Sequence, residues 1–161
     1  VAYLLDSDVF IQAKNLHYGF DICPAFWDWL DVQHQTGKVV SIQKVGDELA
    51  AGGDDLSDWA AKRPALFLKP DAPVVEGLQQ VSAYVSGGQY LPTAVSTFLQ
   101  GADYYLVSHA LAHGHVVVTH ERVDNAIKRI KIPNVCIGMG IQCVNPFEML
   151  RTERARFVLP S

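Results

Sequence analysis

The stretch Ala102-Asp103-Tyr104-Tyr105-Leu106-Val107-Ser108-His109-Ala110-Leu111-Ala112-His113, closed by Gly114, runs straight into His115-Val116-Val117-Val118-Thr119. The first part reads as a helix from Ala102 to His113 with a glycine stop, and the second as a β-branched strand. A strand fed by a helix rather than by a tight turn belongs in a parallel sheet, because parallel neighbours need a crossover.

The same alternation extends to both sides. Toward the amino terminus, Ala2-Tyr3-Leu4-Leu5 reads as a buried strand that ends in the helix-capping run Asp6-Ser7-Asp8, with a helix from Val9 to Lys14. Pro24 opens a helix through Gln35, along which Phe26, Trp27 and Leu30 recur at helical spacing. Val39–Ile42 is a second strand and Gln43–Ala51 a helix closed by Gly52. Leu56–Lys62 and Val74–Val85 are helices, with a strand at Leu66–Leu68 between them. Beyond Thr119, Val135–Ile137 and Gln142–Val144 read as two short strands. The expected architecture is α/β: a three-layer sandwich with a mainly parallel central sheet flanked by helices, in a single domain spanning 1–161.

Composition narrows the class. The chain has 161 residues, 49% of them hydrophobic and 19% charged, which excludes disordered, collagenous and coiled-coil chains. No apolar run approaches the roughly 18 residues of a membrane span, and no signal-like segment opens the sequence. Three cysteines, Cys23, Cys136 and Cys143, form no CxxC pair and suit a reduced, cytoplasmic protein. A net charge of −4 argues against a dedicated electrostatic binder of nucleic acid.

Open parallel sheets carry their chemistry beyond the carboxyl ends of the strands. Asp6 follows the first strand, Glu121 follows the strand ending at Thr119, and Asp103 opens the helix feeding that strand. Glu48 lies beside the Val45/Leu49 stripe of its helix, so it borders the buried face while Asp47 points away. Acids gathered at one edge raise each other's pKa unless a cation joins them, and oxygen-only donors favour Mg²⁺ or Mn²⁺ over zinc. Each acid alone has an ordinary reading as a cap or a solvated helix residue.

Four segments then carry a resemblance: Tyr3-Leu4-Leu5-Asp6-Ser7-Asp8-Val9-Phe10, Val45-Gly46-Asp47-Glu48-Leu49, Ala102-Asp103-Tyr104-Tyr105-Leu106-Val107 and Val117-Val118-Thr119-His120-Glu121. In this order they resemble the motifs of PIN domains, the metal-dependent ribonucleases that include VapC-type toxins, and the whole chain is similar to a little-characterised PIN-like branch. The resemblance implies Asp6, Glu48, Asp103 and Glu121 as catalytic and metal-binding acids, with Thr119 as a small hydroxyl beside them. It further implies an RNA substrate, a cognate antitoxin and a homodimer. Asp8 stands where PIN domains often have Asn; it reads first as the N-cap of a helix starting at Val9, and otherwise as an extra acid at the rim. Glu121 stands where many relatives have Asp, and Asp124 is a substitute for it.

Phosphodiester hydrolysis needs no side-chain nucleophile when one or two divalent ions serve it, which suits a chain with no Ser-His or Cys-His arrangement. Substrate contacts are expected from Arg122, Lys128, Arg129 and Lys131, with Arg151, Arg154 and Arg156 as a second basic group. His109 and His113, spaced i, i+4 near His115, read as solvent-facing or hydrogen-bonded rather than zinc-binding. The enzymatic rival is a haloacid-dehalogenase-like phosphatase. There Asp6 would be the nucleophile, Asp8 a general acid, and Gly53-Asp54-Asp55-Leu56-Ser57-Asp58 a GDxxxD string. A non-catalytic protein-binding module of PIN fold is the rival from another class.

Overall fold

The computed structural model describes residues 1–160. β1 (Tyr3–Leu5) leads into α1 (Ser7–Gln12), which continues as a π-helical turn over Ala13–His17. Then come α2 (Pro24–Gln35), β2 (Val39–Ile42), α3 (Gln43–Ala51) and α4 (Asp55–Ala61). A 3₁₀ turn (Pro64–Leu66) precedes β3 (Phe67–Leu68), followed by α5 (Ala72–Ser86), α6 (Pro92–Leu99) and α7 (Ala102–His113). The chain closes with β4 (Val116–Val118), α8 (Ile132–Met139), β5 (Cys143–Val144) and α9 (Pro146–Thr152).

The strands form one parallel sheet in the order β3-β2-β1-β4-β5, with helices on its faces, as the helix–strand alternation implies. Tyr3 pairs with both Val39 and Val116, which makes β1 the central strand. Its Leu4 and Leu5, with Val117 and Val118 of β4, are fully buried, as strands covered on both faces must be. From β1 the chain builds outward to β2 and β3, then returns to build β4 and β5 on the other side. The strand order therefore reverses between β1 and β4, and a crevice opens there at the carboxyl ends.

One expected strand is a helix. Val135–Ile137 lies inside α8, where Pro133 occupies the first turn and Gly140 ends the helix at φ 71°. The buried residues Ile132, Val135 and Cys136 fall at i, i+3, i+4, a helical stripe that a short aliphatic triplet hides. α6 and α9 are two further helices, whose starts Pro92 and the Asn145/Glu148 capping box mark.

On one face of the sheet an aromatic layer packs Phe10 against Trp59 and Phe67, and Trp27 against Trp59. Arg63 holds that layer from outside, paired with Asp31 by two bonds of 2.6 and 2.8 Å and lying 4.3 Å over the Trp59 ring. Among the described residues no helix is long and apolar enough to cross a membrane.

Candidate metal centre

β1 ends at Leu5, and the Asp6 backbone N–H still donates to Val118 O of β4, so Asp6 sits in the crevice between the two strands. It is 4% exposed. Asp6, not Asp8, is the N-cap of α1: the helix starts at Ser7, and Asp6 Oδ1 accepts from the Ser7 N–H at 2.8 Å. That start, earlier than Val9, overturns the cap reading of Asp8 and turns Asp8 toward β4. Its carboxylate accepts from His120 N–H at 3.1 and 3.2 Å and lies 3.1 Å from Thr119 Oγ1.

Thr119, fully buried at the end of β4, joins the two acids. Its hydroxyl donates to Asp6 Oδ2 at 2.8 Å and accepts from the Glu121 N–H at 3.1 Å. Glu121 is held at its other end as well, because Oε1 accepts from Ile132 N–H at the start of α8, at 3.2 Å. One carboxylate oxygen each from Asp6, Asp8 and Glu121 lie within 4.8 Å of one another.

Asp103, at the start of α7, faces the same crevice. Burial, then the charges of Glu121, Glu48 and Asp8, push its carboxyl up to about 7, opposed by Arg129. Burial with the neighbouring charges of Asp8 and Asp103 holds Asp6 well above the usual carboxylate range. Asp8 and Glu121 are raised chiefly by burial, against the N–H groups of His120 and Ile132 respectively. Glu48 does not border the buried face as expected. It is exposed at the rim, because a turn of α3 hides only Val45 and Leu49. It shares a cleft of about 420 Å³ with Asp103, Lys128 and Arg129.

The structure thus brings Asp6, Asp8, Thr119, Glu121 and Asp103 together, with Glu48 at the edge. Asp124 lies elsewhere, in an exposed loop where its Oδ1 accepts from Ala126 N–H and its own N–H donates to Asn134. The basic residues divide. Lys128 and Arg129 line the Asp103 side and Arg122 the Glu121 side. Lys131 lies close enough to Glu121 to oppose the rise of its pKa.

Arg151, Arg154 and Arg156 flank the end of α9, and Arg151 lies one turn from Phe147 and near enough to Tyr18 to oppose the rise that burial gives its pKa. Between them Glu153 binds the Tyr3 hydroxyl at 2.8 Å and Lys38 at 2.7 Å, both at the amino ends of their strands. The histidines of α7 also gather away from the acids. His109 is buried rather than solvent-facing, and burial lowers its pKa to about 4, while His113 pairs with Asp71 at 2.8 Å. In the GDxxxD string, Asp54 and Ser57 form the capping box of α4 and Asp54 pairs with Lys14, so the string starts a helix.

Sequence reasoning underrated Asp8. The signal was present: with Asp6 as cap, Asp8 falls in the first turn of α1, on the side that β4 approaches. The donor set consists of oxygens alone, close-packed and partly desolvated, which suits a hard divalent cation.

None of the curated proteins matches the chain. Among solved structures, VapBC2 from Rickettsia felis, bound to a DNA fragment from its promoter, is similar with a TM-score of 0.49 and 17% identity, over 90% of this chain and 98% of that one. Residues 3–157 match the family described as a domain of unknown function (DUF4411), and the chain belongs to that family.

Proposed function

We propose that this chain is a Mg²⁺- or Mn²⁺-dependent ribonuclease, an endoribonuclease hydrolysing RNA phosphodiester bonds. The observation that carries the reading is the gathering of Asp6, Asp8 and Glu121 oxygens within 4.8 Å at the point where the strand order reverses. Unneutralised, such a group opposes folding, as the raised carboxyls of Asp6 and Asp103 express. Asp6, Asp8, Glu121 and Asp103 are the residues that would hold the ion, with Glu48 reaching in from the rim. A divalent ion there supplies charge neutralisation on the phosphate, an activated water and help for the leaving oxygen.

The chain's own groups do the rest. Thr119 fixes the rotamer of Asp6, and the α8 amino end fixes Glu121. Lys128 and Arg129 give the flanking phosphates a basic wall. The PIN resemblance supports the further reading as the toxin of a toxin–antitoxin pair: a single-domain cytoplasmic protein, homodimeric, with an antitoxin partner.

Incubation of purified protein with single-stranded RNA tests the reading. Cleavage is expected with Mg²⁺ or Mn²⁺, lost with EDTA, and largely lost in Asp6→Asn and Asp103→Asn. Hydrolysis of a small phosphomonoester through a trapped Asp6 acyl-phosphate would overturn it in favour of the phosphatase.

A further inference from the structure

Beside the acids, on the side away from Lys128, a second cleft of about 380 Å³ opens, and its near wall is Thr119, His120 and Glu121. Its size falls near the small end of the roughly 300–1,000 Å³ typical of ligand sites. Two aliphatic side chains that line it, Ile137 and Val123, are 69% and 54% exposed, so the cleft offers apolar surface that nothing in the chain covers.

Two residues that line it, His120 and Phe147, belong to an aromatic group that His17 completes from outside the cleft. The rings of His17 and His120 stack with centroids 5.8 Å apart and planes at 25°. Phe147 meets His17 edge-on at 5.2 Å and His120 at 5.9 Å. These residues come from three separate places: the π-helical turn after α1, the loop after β4, and the first turn of α9. The π-turn itself has local consequence, since it ends α1 on the exposed His17 beside His120, and such turns are frequent at functional sites.

We infer that this cleft is a nucleobase subsite: the packed ring group of His120 and Phe147, backed by His17, receives an unpaired base of single-stranded RNA whose adjoining phosphate lies at the acids. The inference rests on the ribonuclease reading and deepens it by locating where the base beside the bound phosphate is held. Planar rings with apolar faces are what stacked aromatics and bare aliphatics receive, and every base presents such a face. A base held in a duplex presents none.

Continuity with the acids selects RNA over other occupants. Thr119 and Glu121 belong to both the cleft and the acidic group, so a nucleotide with its phosphate at one has its base at the other. On the far wall two acceptors are already taken, which leaves the Asn145 amide donors and the second Glu148 oxygen for a base edge. Asn145 Oδ1 already accepts from Glu148 N–H at 2.8 Å, and Glu148 Oε1 from Asn145 N–H at 3.4 Å. Recognition through ring faces is tolerant of sequence.

The test uses single-stranded octaribonucleotides carrying 2-aminopurine at successive positions, bound in Mg²⁺ to the full chain with Asp103→Asn to hold back cleavage. Fluorescence is expected to fall on binding at one position, and an abasic site there weakens binding about tenfold. His17→Ala, at an exposed position, and Phe147→Leu each restore the fluorescence and lose several-fold in affinity. Phe147→Tyr, which keeps the ring, retains both. In the otherwise unaltered protein, His17→Ala raises KM for RNA with kcat little changed. Equal binding of base-bearing and abasic strands by all these proteins overturns the subsite and hands the cleft to a protein side chain. Metal-dependent RNA cleavage with KM unmoved by His17→Ala overturns the subsite alone. Absence of both RNA binding and cleavage in the unaltered protein overturns the nuclease reading together with it.

Discussion

Thr119 Oγ1 donates to Asp6 Oδ2 at 2.8 Å, across the junction where the sheet order reverses. A hydroxyl has one proton, and Asp8 Oδ2 lies only 3.1 Å from the same oxygen. With that proton given to Asp6, Asp8 needs a proton of its own to complete the contact, or a cation must share the carboxylates. The metal-free group is therefore a proton trap, in keeping with the raised carboxyls of both acids.

Thr119→Val keeps the shape but removes the donor to Asp6 and the acceptor for Glu121 N–H. Partners that orient metal ligands typically account for about 10–100-fold in metal affinity or activity. A loss in that range is expected in Mn²⁺ titration calorimetry and in RNA cleavage, with Thr119→Ser close to the unaltered protein. Equal Mn²⁺ affinity in Thr119→Val would show that the hydroxyl only plugs the strand end.

The contribution of the acids to the stability of the metal-free protein is expected to fall as pH rises from about 4 to 7. Asp103 is raised to about 7 from 3.8, so the folded state binds its proton more tightly than the unfolded state. That contribution is fully present below pH 3.8 and lost as pH climbs through 7. Asp6, Asp8 and Glu121 shift in the same direction. Asp54, lowered to about 2 by Lys14, acts oppositely below pH 4, and His109, lowered to about 4 by burial, acts oppositely between about pH 4 and 6.5, so the acids are read from the difference between the unaltered protein and Asp103→Asn. Urea melts in EDTA across this range check it. Asp103→Asn should flatten the slope by on the order of 1 kcal/mol, allowing for solvent screening.

The sheet was legible because its strands are short β-branched or aliphatic runs bounded by caps and glycines; β2, α3 and α7 fall where the sequence puts them. α8 was not, since Val-Cys-Ile satisfies both a strand and a helix until its distance from Ile132 is counted. In the site, Asp6, Asp103 and Glu121 were legible from their positions at strand and helix ends. Asp8 was obscured by two residues of helix register, because a helix starting at Val9 instead of Ser7 makes it a cap. The His17, His120 and Phe147 group had no linear signal, as its members meet only through the fold.

Lys128→Gln with Arg129→Gln is expected to weaken RNA binding, as both side chains line the cleft beside Asp103. Loss of two phosphate contacts on a single strand makes the slope of log affinity against log salt shallower by about 1.4. Glutamine is chosen over glutamate so that no acid is added near the carboxylates. Anisotropy titrations at several salt concentrations read the slope. An unchanged slope would take the backbone path along the side of Arg122 and Arg151 instead, since Arg122 lines the second cleft and Arg151 lies one turn of α9 from Phe147.

Thermal melts of Asp103→Asn and Asp6→Asn separate a metal centre from a set of structural acids. Among the described residues Asp103 makes no side-chain hydrogen bond while three neighbouring acids repel it, so its amide should melt higher than the unaltered protein in EDTA at pH 7.5. Asp6 carries two opposing contributions. Its amide relieves repulsion from Asp8 and Asp103 but weakens the cap on Ser7, worth about 1 kcal/mol, so its melt should change little. Mn²⁺ supplies the second arm. At ten times its dissociation constant it adds about 1.4 kcal/mol to the unaltered protein by binding the folded state alone. That gain should shrink sharply in both variants, because each removes a charge from the ion's neighbourhood. If both variants melt lower in EDTA, and Mn²⁺ raises all three proteins equally, the acids hold the fold together rather than an ion.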